Sequence, residues 1–419
     1  MFRSLRYVNL YFTSLRFSES LLLIIYSFYS LLGINSFSKA FNKDFYSQQF
    51  SNKFKNKFNS IEAVTVPSGR AGIYSLLSAM GIGKGDEVLI TGYTCSAVPE
   101  PLLFLGIKPI YVDIDSKNFG MKTEAARKLI TSRTKAIIIQ HTFGMTAEIK
   151  SLVELAKEFN LKVIEDCALA LGSRANDGFL GTFGDASIFS FELSKTISVG
   201  WGGLILINHD INLAVNVKDF VGKFKYLSRF ESFRRLFQAG ISSFLYRHNI
   251  YIFGGYFIST LFKIRFFRKS AIVFDRNKIP KDYLQLLPDI QWLIVEKIFN
   301  RLDYINSCQR KASKEYINTL NELGCNISSK DANNNALIRF PILLKNNKAF
   351  LDILNFNRIE AGTWFNQPVS CGGGDQVIYD YDIGSCANSE YIAKHMINLP
   401  THDRLSTNDL NKICLLLKT

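Results

Sequence analysis

The stretch AIIIQHTFGMTAEIKSLVELAKEFNLKVIED, Ala136 to Asp166, decides the fold. It opens on a short apolar run, AIIIQH, passes through a helical pattern around 147–159, and closes on a second run, LKVIED from Leu161. Two strands joined by a helix form the repeating unit of a parallel sheet. Runs that are apolar almost throughout, rather than alternating, are what strands covered on both faces require. The same rhythm extends outward. DEVLIT (Asp86 to Thr91), KPIYVDI from Lys108, ASIFSF from Ala186 and GGLILIN from Gly202 read as further strands, with helices at Gly69 to Met80, 97–105 and 123–130. The expected fold class is α/β, with a mostly parallel sheet in a large domain over 61–214.

Around that layer, residues 1–60 are rich in Phe, Ser, Asn and Lys and read as an irregular or helical lead-in. A Phe-rich basic insert covers 215–279. A helical pattern resumes after Pro280 and continues to about 323, where Gly324 breaks it. The remainder, to 419, reads as a smaller C-terminal α+β domain ending in a helix after Ser406.

A chain of 419 residues suits two or three domains, and 47% apolar content supplies a large core, which excludes wholesale disorder. A net charge of +14 favours anionic partners without choosing among them. Seven cysteines at 95, 167, 308, 325, 371, 386 and 414 form no C-x-x-C pair and no zinc-spaced cluster with histidine, so a reducing compartment and no structural metal are expected. The first residues lack the pattern of a signal peptide. The apolar run from Leu21 to Ile34 is about fourteen residues long, short of the roughly 20 that span a bilayer. A cytoplasmic protein is expected.

Four pieces carry candidate chemistry. Pro67-Ser68-Gly69-Arg70-Ala71 opens a helix, whose free amides suit a phosphate, with Arg70 adding charge; alone, such a piece is more often an ordinary cap, here by Ser68. Glu165-Asp166 ends a buried strand, where ligands of such sheets gather; alone, Asp166 is as well read as a loop hydrogen-bonder. Phe189 to Lys195, FSFELSK, leads a strand into a loop with one lysine. A partly buried lysine becomes a good amine nucleophile toward aldehydes, and Ser190 offers a hydroxyl to a phosphate. Gly200-Trp201-Gly202-Gly203 permits a tight turn or a close backbone approach.

Taken in order, these pieces resemble the DegT/StrS-type family of pyridoxal-phosphate sugar aminotransferases. The family's phosphate loop S-G-T-A-A-L is matched by Ser68 to Ile73, and its G-x-G-x-G-D-E-V by Gly81 to Val88. Further matches are Gly106 to Asp115, Thr134 to Gly144 with His141, Ile164 to Ala168, Ser190 to Lys195 and Asn398 to His402. The resemblance is dense over 60–210, weaker over 280–419, and absent over 1–50 and 215–275. It implies the aspartate-aminotransferase type of fold (fold type I), a homodimer, and pyridoxal 5'-phosphate held by Lys195 as a Schiff base. It further implies that Lys195 moves a proton and that Asp166 pairs with the ring nitrogen. The amides around Gly69 and Arg70, with Ser190, would hold the phosphate. The reaction implied is amino transfer from an amino acid such as glutamate to a keto group on a nucleotide-linked sugar, for cell-surface polysaccharide or glycoconjugate synthesis.

The departures bear on substrate handling. Leu169 and Leu171 stand where the family often has Gln and His. Cys95 stands where an aromatic residue often covers the ring, with Tyr93 a substitute, and the inter-subunit N-Y-R appears as Leu284-Gln285-Leu286. Two rivals follow: another pyridoxal-phosphate reaction on a sugar or lipid-linked substrate, and a silent membrane-associated relative. Family dehydratases carry His in place of the lysine, so Lys195 argues against that variant. The segment 218–269 holds eleven Phe and eleven Lys or Arg against only Asp219 and Glu231. It reads as a soluble lid or dimer element, or as a peripheral contact with anionic lipid. A nucleic-acid role is not expected, since no recognised module accompanies the charge.

Overall fold

The computed structural model describes residues 7–10, 14–33, 44–175, 177–245, 251–268, 274–276, 278–324, 335–370 and 375–418. The central sheet comprises β1 (Glu62–Val66), β2 (Glu87–Thr91), β3 (Lys108–Val112), β4 (Thr134–Gln140), β5 (Lys162–Asp166), β6 (Ala186–Ser190) and β7 (Gly203–Ile207). Its order is β1-β7-β6-β5-β4-β2-β3. β7 alone runs antiparallel to its neighbours, β1 and β6, and every other pairing is parallel. Every residue of β2, β6 and β7 is buried, which accounts for their unbroken apolar runs.

The helices in the first half of the chain are α1 (Phe17–Leu32), α2 (Phe45–Phe58), α3 (Gly69–Ala79), α4 (Pro99–Phe104), α5 (Thr123–Leu129), α6 (Ile149–Glu158) and α7 (Ile211–Gly222). They are followed by α8 (Arg229–Leu245), α9 (Tyr251–Lys263), α10 (Ile290–Phe299), α11 (Leu302–Glu322), α12 (Asn347–Phe356), α13 (Ala387–His395) and α14 (Thr407–Leu417). Helix α6 shows how the sequence sets its face: Ile149, Leu152, Leu155 and Ala156 recur at helical spacing and are the buried residues. On one side of the sheet Ile188 and Ile205 pack with residues of α3 and α7; on the other, Phe189, Leu204 and Leu206 meet α2 and α10.

The abundance of Phe has a structural outlet on that second side. Phe50, Phe54 and Phe58 project from α2 at four-residue intervals onto Phe189, Phe191, Trp292 and Phe299, with ring centroids 4.9 to 5.9 Å apart. Asp289 fixes the start of α2 by accepting from the Tyr46 and Ser47 amides, both at 2.8 Å. The second helix of the lead-in therefore belongs to the core of the large layer. Helix α7 runs from Ile211 to Gly222, across residue 214.

In the C-terminal part, β8 (Arg339–Leu343) pairs antiparallel with β9 (Met396–Pro400), flanked by α11, α12, α13 and α14. Ser406 caps α14, accepting from the Asp409 amide while the Asp409 carboxylate accepts from the Ser406 amide. Val369–Ser370 pairs in parallel with Thr94–Cys95. That short ladder fixes the loop before it against the mouth of the large sheet.

Candidate active site

The last residues of β4, β5 and β6 are Gln140, Asp166 and Ser190. All three line one cavity of about 330 Å³, with Gly69 and Arg70 of α3, Cys95, Lys195 and Trp364. Ligands of open α/β sheets bind outside the carboxyl ends of the strands, and this cavity lies there.

Helix α3 begins where Ser68 caps it, its hydroxyl accepting from the Ala71 amide at 3.2 Å. The glycines after the lysine explain how α3 reaches the sheet. A Cβ added to Gly203 would lie 2.6 Å from the Ser68 carbonyl carbon and 2.8 Å from the Gly69 nitrogen. Only glycine admits that approach, and it sets the first turn of α3 beside Ser190, whose Cβ is 3.4 Å from where a Gly69 Cβ would stand.

Lys195 sits on the loop after β6, open to the cavity and otherwise enclosed by protein. Its amide donates to Glu192 O at 3.3 Å, and the preceding residue, Ser194, is held at φ +67°. A non-glycine residue in the left-handed region costs energy and persists where surrounding contacts hold it. Here Arg339 supplies one, its Nη2 donating to Ser194 Oγ at 3.2 Å. Burial lowers the Lys195 pKa, with Arg339 acting in the same direction and Cys95 and Glu192 opposing. The shift favours the neutral amine, the nucleophilic form.

Asp166 is buried, and its Oδ1 accepts from the Ala168 amide at 2.9 Å. Burial raises its pKa, while Ala168, Lys195 and His141 pull it down. A carboxylate so placed gains from a cation brought into the cavity. Glu165, one residue earlier, is committed to the scaffold. It accepts from the amides of Gly181, Phe183 and Gly184 at 2.7 to 2.9 Å and faces His141 Nε2 at 3.0 Å. His141 Nδ1 accepts from the Ala147 amide, so the ring proton lies on Nε2, toward Glu165. In the cluster His141, Glu165 and Cys167, the imidazole and the carboxylate are thus engaged with each other and with backbone amides.

Other candidates lie differently from expectation. The Arg70 guanidinium is buried and pairs with Glu100 at 2.7 Å, and Glu100 also accepts from Ser96 at 3.0 Å. Burial opposes the Arg70 charge, but Glu100 and Glu192 hold its pKa above the ordinary range. The added charge expected from Arg70 is therefore neutralised inside the protein. Tyr93 is not part of the cavity wall. Its hydroxyl donates to Phe365 O at 3.1 Å and accepts from Phe365 N at 2.7 Å, which turns the ring into the core against Phe143 and Phe365. The aromatic wall is instead Trp364 with Phe365. The Trp364 ring is covered by the Arg339 guanidinium at 3.9 Å, with Lys195 Nζ 5.9 Å from its centroid. Cys95 and Leu169 line the cavity, whereas Leu171 is buried in the core. Leu286 pairs with this chain's own residues 225–227, and Gln291 donates to Trp201 O at 2.6 Å, anchoring the glycine turn.

Gln140, Glu192, Trp364 and Arg339 were not singled out from the sequence. Gln140 had a signal, as the last residue of the strand beside Asp166; the other three are brought in by loop geometry and long-range packing.

The α/β layer with its mostly parallel seven-stranded sheet is that of the pyridoxal-phosphate fold type I. The chain belongs to the DegT/DnrJ/EryC1/StrS aminotransferase family, whose model matches residues 37–222 and 282–418. Over 146 residues it is 42% identical to GDP-perosamine synthase of Escherichia coli O157:H7, covering 35% of this chain and 40% of that protein. It is 38% identical over 146 residues to UDP-N-acetyl-3-dehydro-alpha-D-glucosamine 3-aminotransferase of Acidithiobacillus ferrooxidans, again covering 35% and 40%. The matches thus span about 40% of the length of these curated relatives. Among solved structures, Helicobacter pylori PseC, an aminotransferase of pseudaminic acid biosynthesis, superposes with a TM-score of 0.71 at 19% identity, covering 99% of this chain and 98% of that one. The E. coli GDP-4-keto-6-deoxy-D-mannose-3-dehydratase gives 0.72 at 17% identity, covering 98% and 99%. At those identities the likeness concerns the fold.

Proposed function

We propose that this protein is a pyridoxal-phosphate-dependent aminotransferase that moves an amino group from an amino acid, glutamate in the leading case, to a keto group of a nucleotide-linked sugar. The observation that carries the reading is the convergence of Lys195, Asp166, Ser190 and the first turn of α3 on one cavity. The residues fit the cofactor. The α3 amides and Ser190 Oγ suit its phosphate. Asp166, buried beneath the cavity, suits a protonated ring nitrogen. Trp364 and Leu169 supply apolar walls. When bound, the cofactor supplies an aldehyde and an electron-withdrawing ring.

The chain's own residues do the rest. Lys195, its pKa lowered by burial, would hold the cofactor through Nζ, and its amine faces the cavity where a substrate amine would enter. The same amine would serve as the base that takes a proton from the substrate carbon and later gives it back. Such positioned proton transfer typically contributes about 10² to 10⁴ in rate. Arg339 holds the loop through Ser194, so the base keeps its place during the exchange. Leu169 offers no hydrogen bond to the ring's hydroxyl, so orientation of the ring falls to Asp166 and to the phosphate contacts. A homodimer and a cytoplasmic setting complete the proposal, with sugar intermediates of a surface polysaccharide or glycoconjugate as the substrate class.

Borohydride reduction followed by peptide mapping should place the cofactor on Lys195. Incubation with glutamate and a panel of nucleotide ketosugars should then yield an aminated sugar by mass spectrometry. Label on another lysine, or none, overturns the mechanism; label on Lys195 with no aminated sugar overturns the substrate class.

A further inference from the structure

Two parts of the chain fall outside the family match, the residues before 37 and residues 223–281. They pack on each other. Ser20 Oγ of α1 donates to Ser243 Oγ of α8 at 3.0 Å. A Cβ on Gly240 would lie 2.8 Å from the Ser20 carbonyl oxygen, so the two helices touch nearly backbone to backbone. Arg301 grips Glu19 with both guanidinium nitrogens, at 2.7 and 3.0 Å, fixing the first turn of α1 to the start of α11. The rotation of α1 about its own axis is therefore set.

That rotation is the reverse of a surface helix, which ordinarily turns charge to water. The inner face carries Glu19, Ser20, Leu23 and Ser27, all buried. The outer face carries Phe17, Leu21, Ile25, Phe28, Leu31 and Leu32, each between 38% and 66% exposed. These positions follow three- and four-residue steps and form one stripe along the helix. Helix α8 widens it. Phe244 lies 6.0 Å from Phe17, and Phe28 packs at 5.4 Å on Phe233, which carries exposed Phe230 beside it. A contiguous apolar patch of this kind marks an interaction surface.

Charge selects the occupant. Exposed Arg16 stands at one end of the stripe, beside Phe17, and exposed Arg229 at the other, over Gly33. The acidic residues of α1 and α8 are both drawn inward: Glu19 to Arg301, and Glu231 to Arg234 and Arg268 at 3.2 and 3.3 Å. A second copy related by twofold symmetry would set these arginines against one another, and Asp403, the acid beside Arg16, already faces Arg404 and Arg301, so that pairing is unfavourable. Anionic headgroups would meet them directly. Among the described residues no helix is long and apolar enough to cross a bilayer. We propose that the α1–α8 face docks on an anionic lipid surface, with α1 lying in the interface, its Phe and Leu side chains among the acyl chains and Arg16 and Arg229 among the headgroups. This rests on the packing of α1 and α8 and is independent of the amino-transfer reading.

The test is sedimentation of the full-length protein with vesicles containing phosphatidylglycerol, and with vesicles of phosphatidylcholine alone. Pelleting is expected with the anionic vesicles, reduced but not abolished by salt, because salt screens the charges and not the apolar insertion. Leu21→Glu combined with Leu32→Glu should abolish pelleting and change the unfolding midpoint little, since neither side chain packs on α8 as Phe28 does. The proposal is overturned if the native protein stays in the supernatant with anionic vesicles at low salt, or if the double variant pellets equally well. It is also overturned if the double variant halves the mass of the particle in solution while the native protein ignores vesicles, which would assign the face to a second copy.

Discussion

The Arg70–Glu100 pair offers a quantitative test of how the mouth of the cavity is built. Glu100 is 1% exposed, and its carboxylate has two side-chain partners, Arg70 at 2.7 Å and Ser96 at 3.0 Å. Burial pushes the Glu100 pKa up, and Arg70 is the largest influence holding it down. Arg70→Met should leave a buried carboxylate facing one hydroxyl. Breaking a buried pair in this way costs about 3–5 kcal/mol, a large part of the roughly 5–15 kcal/mol that stabilises a typical domain. Adding Glu100→Gln should restore most of that loss, because the neutral amide keeps the bond from Ser96 and no charge is stranded. Urea unfolding followed by tryptophan fluorescence measures the stability of the two single variants and the double variant. Titration of the same proteins with pyridoxal phosphate reads the cavity. If Arg70 serves chiefly as the partner of Glu100, the double variant keeps its cofactor affinity within a few-fold. A double variant as unstable as Arg70→Met would refute the pairing argument. A stable double variant with cofactor affinity reduced a hundredfold or more would show that Arg70 holds the phosphate directly.

Further outcomes follow from the same geometry. Asp166 has a raised pKa in the folded protein, so its carboxyl favours the fold only when protonated, and that contribution is lost as pH rises through the folded-state value. Asp166→Asn should therefore raise the urea midpoint of the cofactor-free protein at neutral pH while lowering turnover by orders of magnitude; an unchanged turnover would place control of the ring charge elsewhere. Gly203→Ala should displace the start of α3, because the added Cβ meets backbone at 2.6 Å. A cost of about 1–3 kcal/mol is expected, with weaker cofactor binding in the titration, and wild-type behaviour in both would contradict the close approach.

The strands were legible because burial on both faces leaves a local mark, an unbroken apolar run, and the helices because their buried positions repeat within a turn or two. That Lys195, Asp166 and Ser190 face one cavity was legible because each sits at or just after a strand end, where an α/β sheet gathers ligands. The Phe content was visible in the sequence, but its use was not, since Phe50, Phe54 and Phe58 find their partners some 130 to 250 residues away. Tyr93 shows the limit most clearly. Two positions before Cys95, it qualified by chemistry as the missing aromatic wall, yet both hydrogen bonds of its hydroxyl go to Phe365, 272 residues later, and pull the ring into the core. Arg70 qualified as a phosphate ligand by position, but its pairing with Glu100 could be read only from the packing. The lead-in held an apolar run too short to span a bilayer, and its sequence could not say which side of that helix would be covered. Periodicity belongs to the sequence because it is set by neighbouring residues. Which side chain closes a cavity, neutralises a charge or leaves a helix face bare depends on contacts between distant segments, and only the tertiary structure decides those.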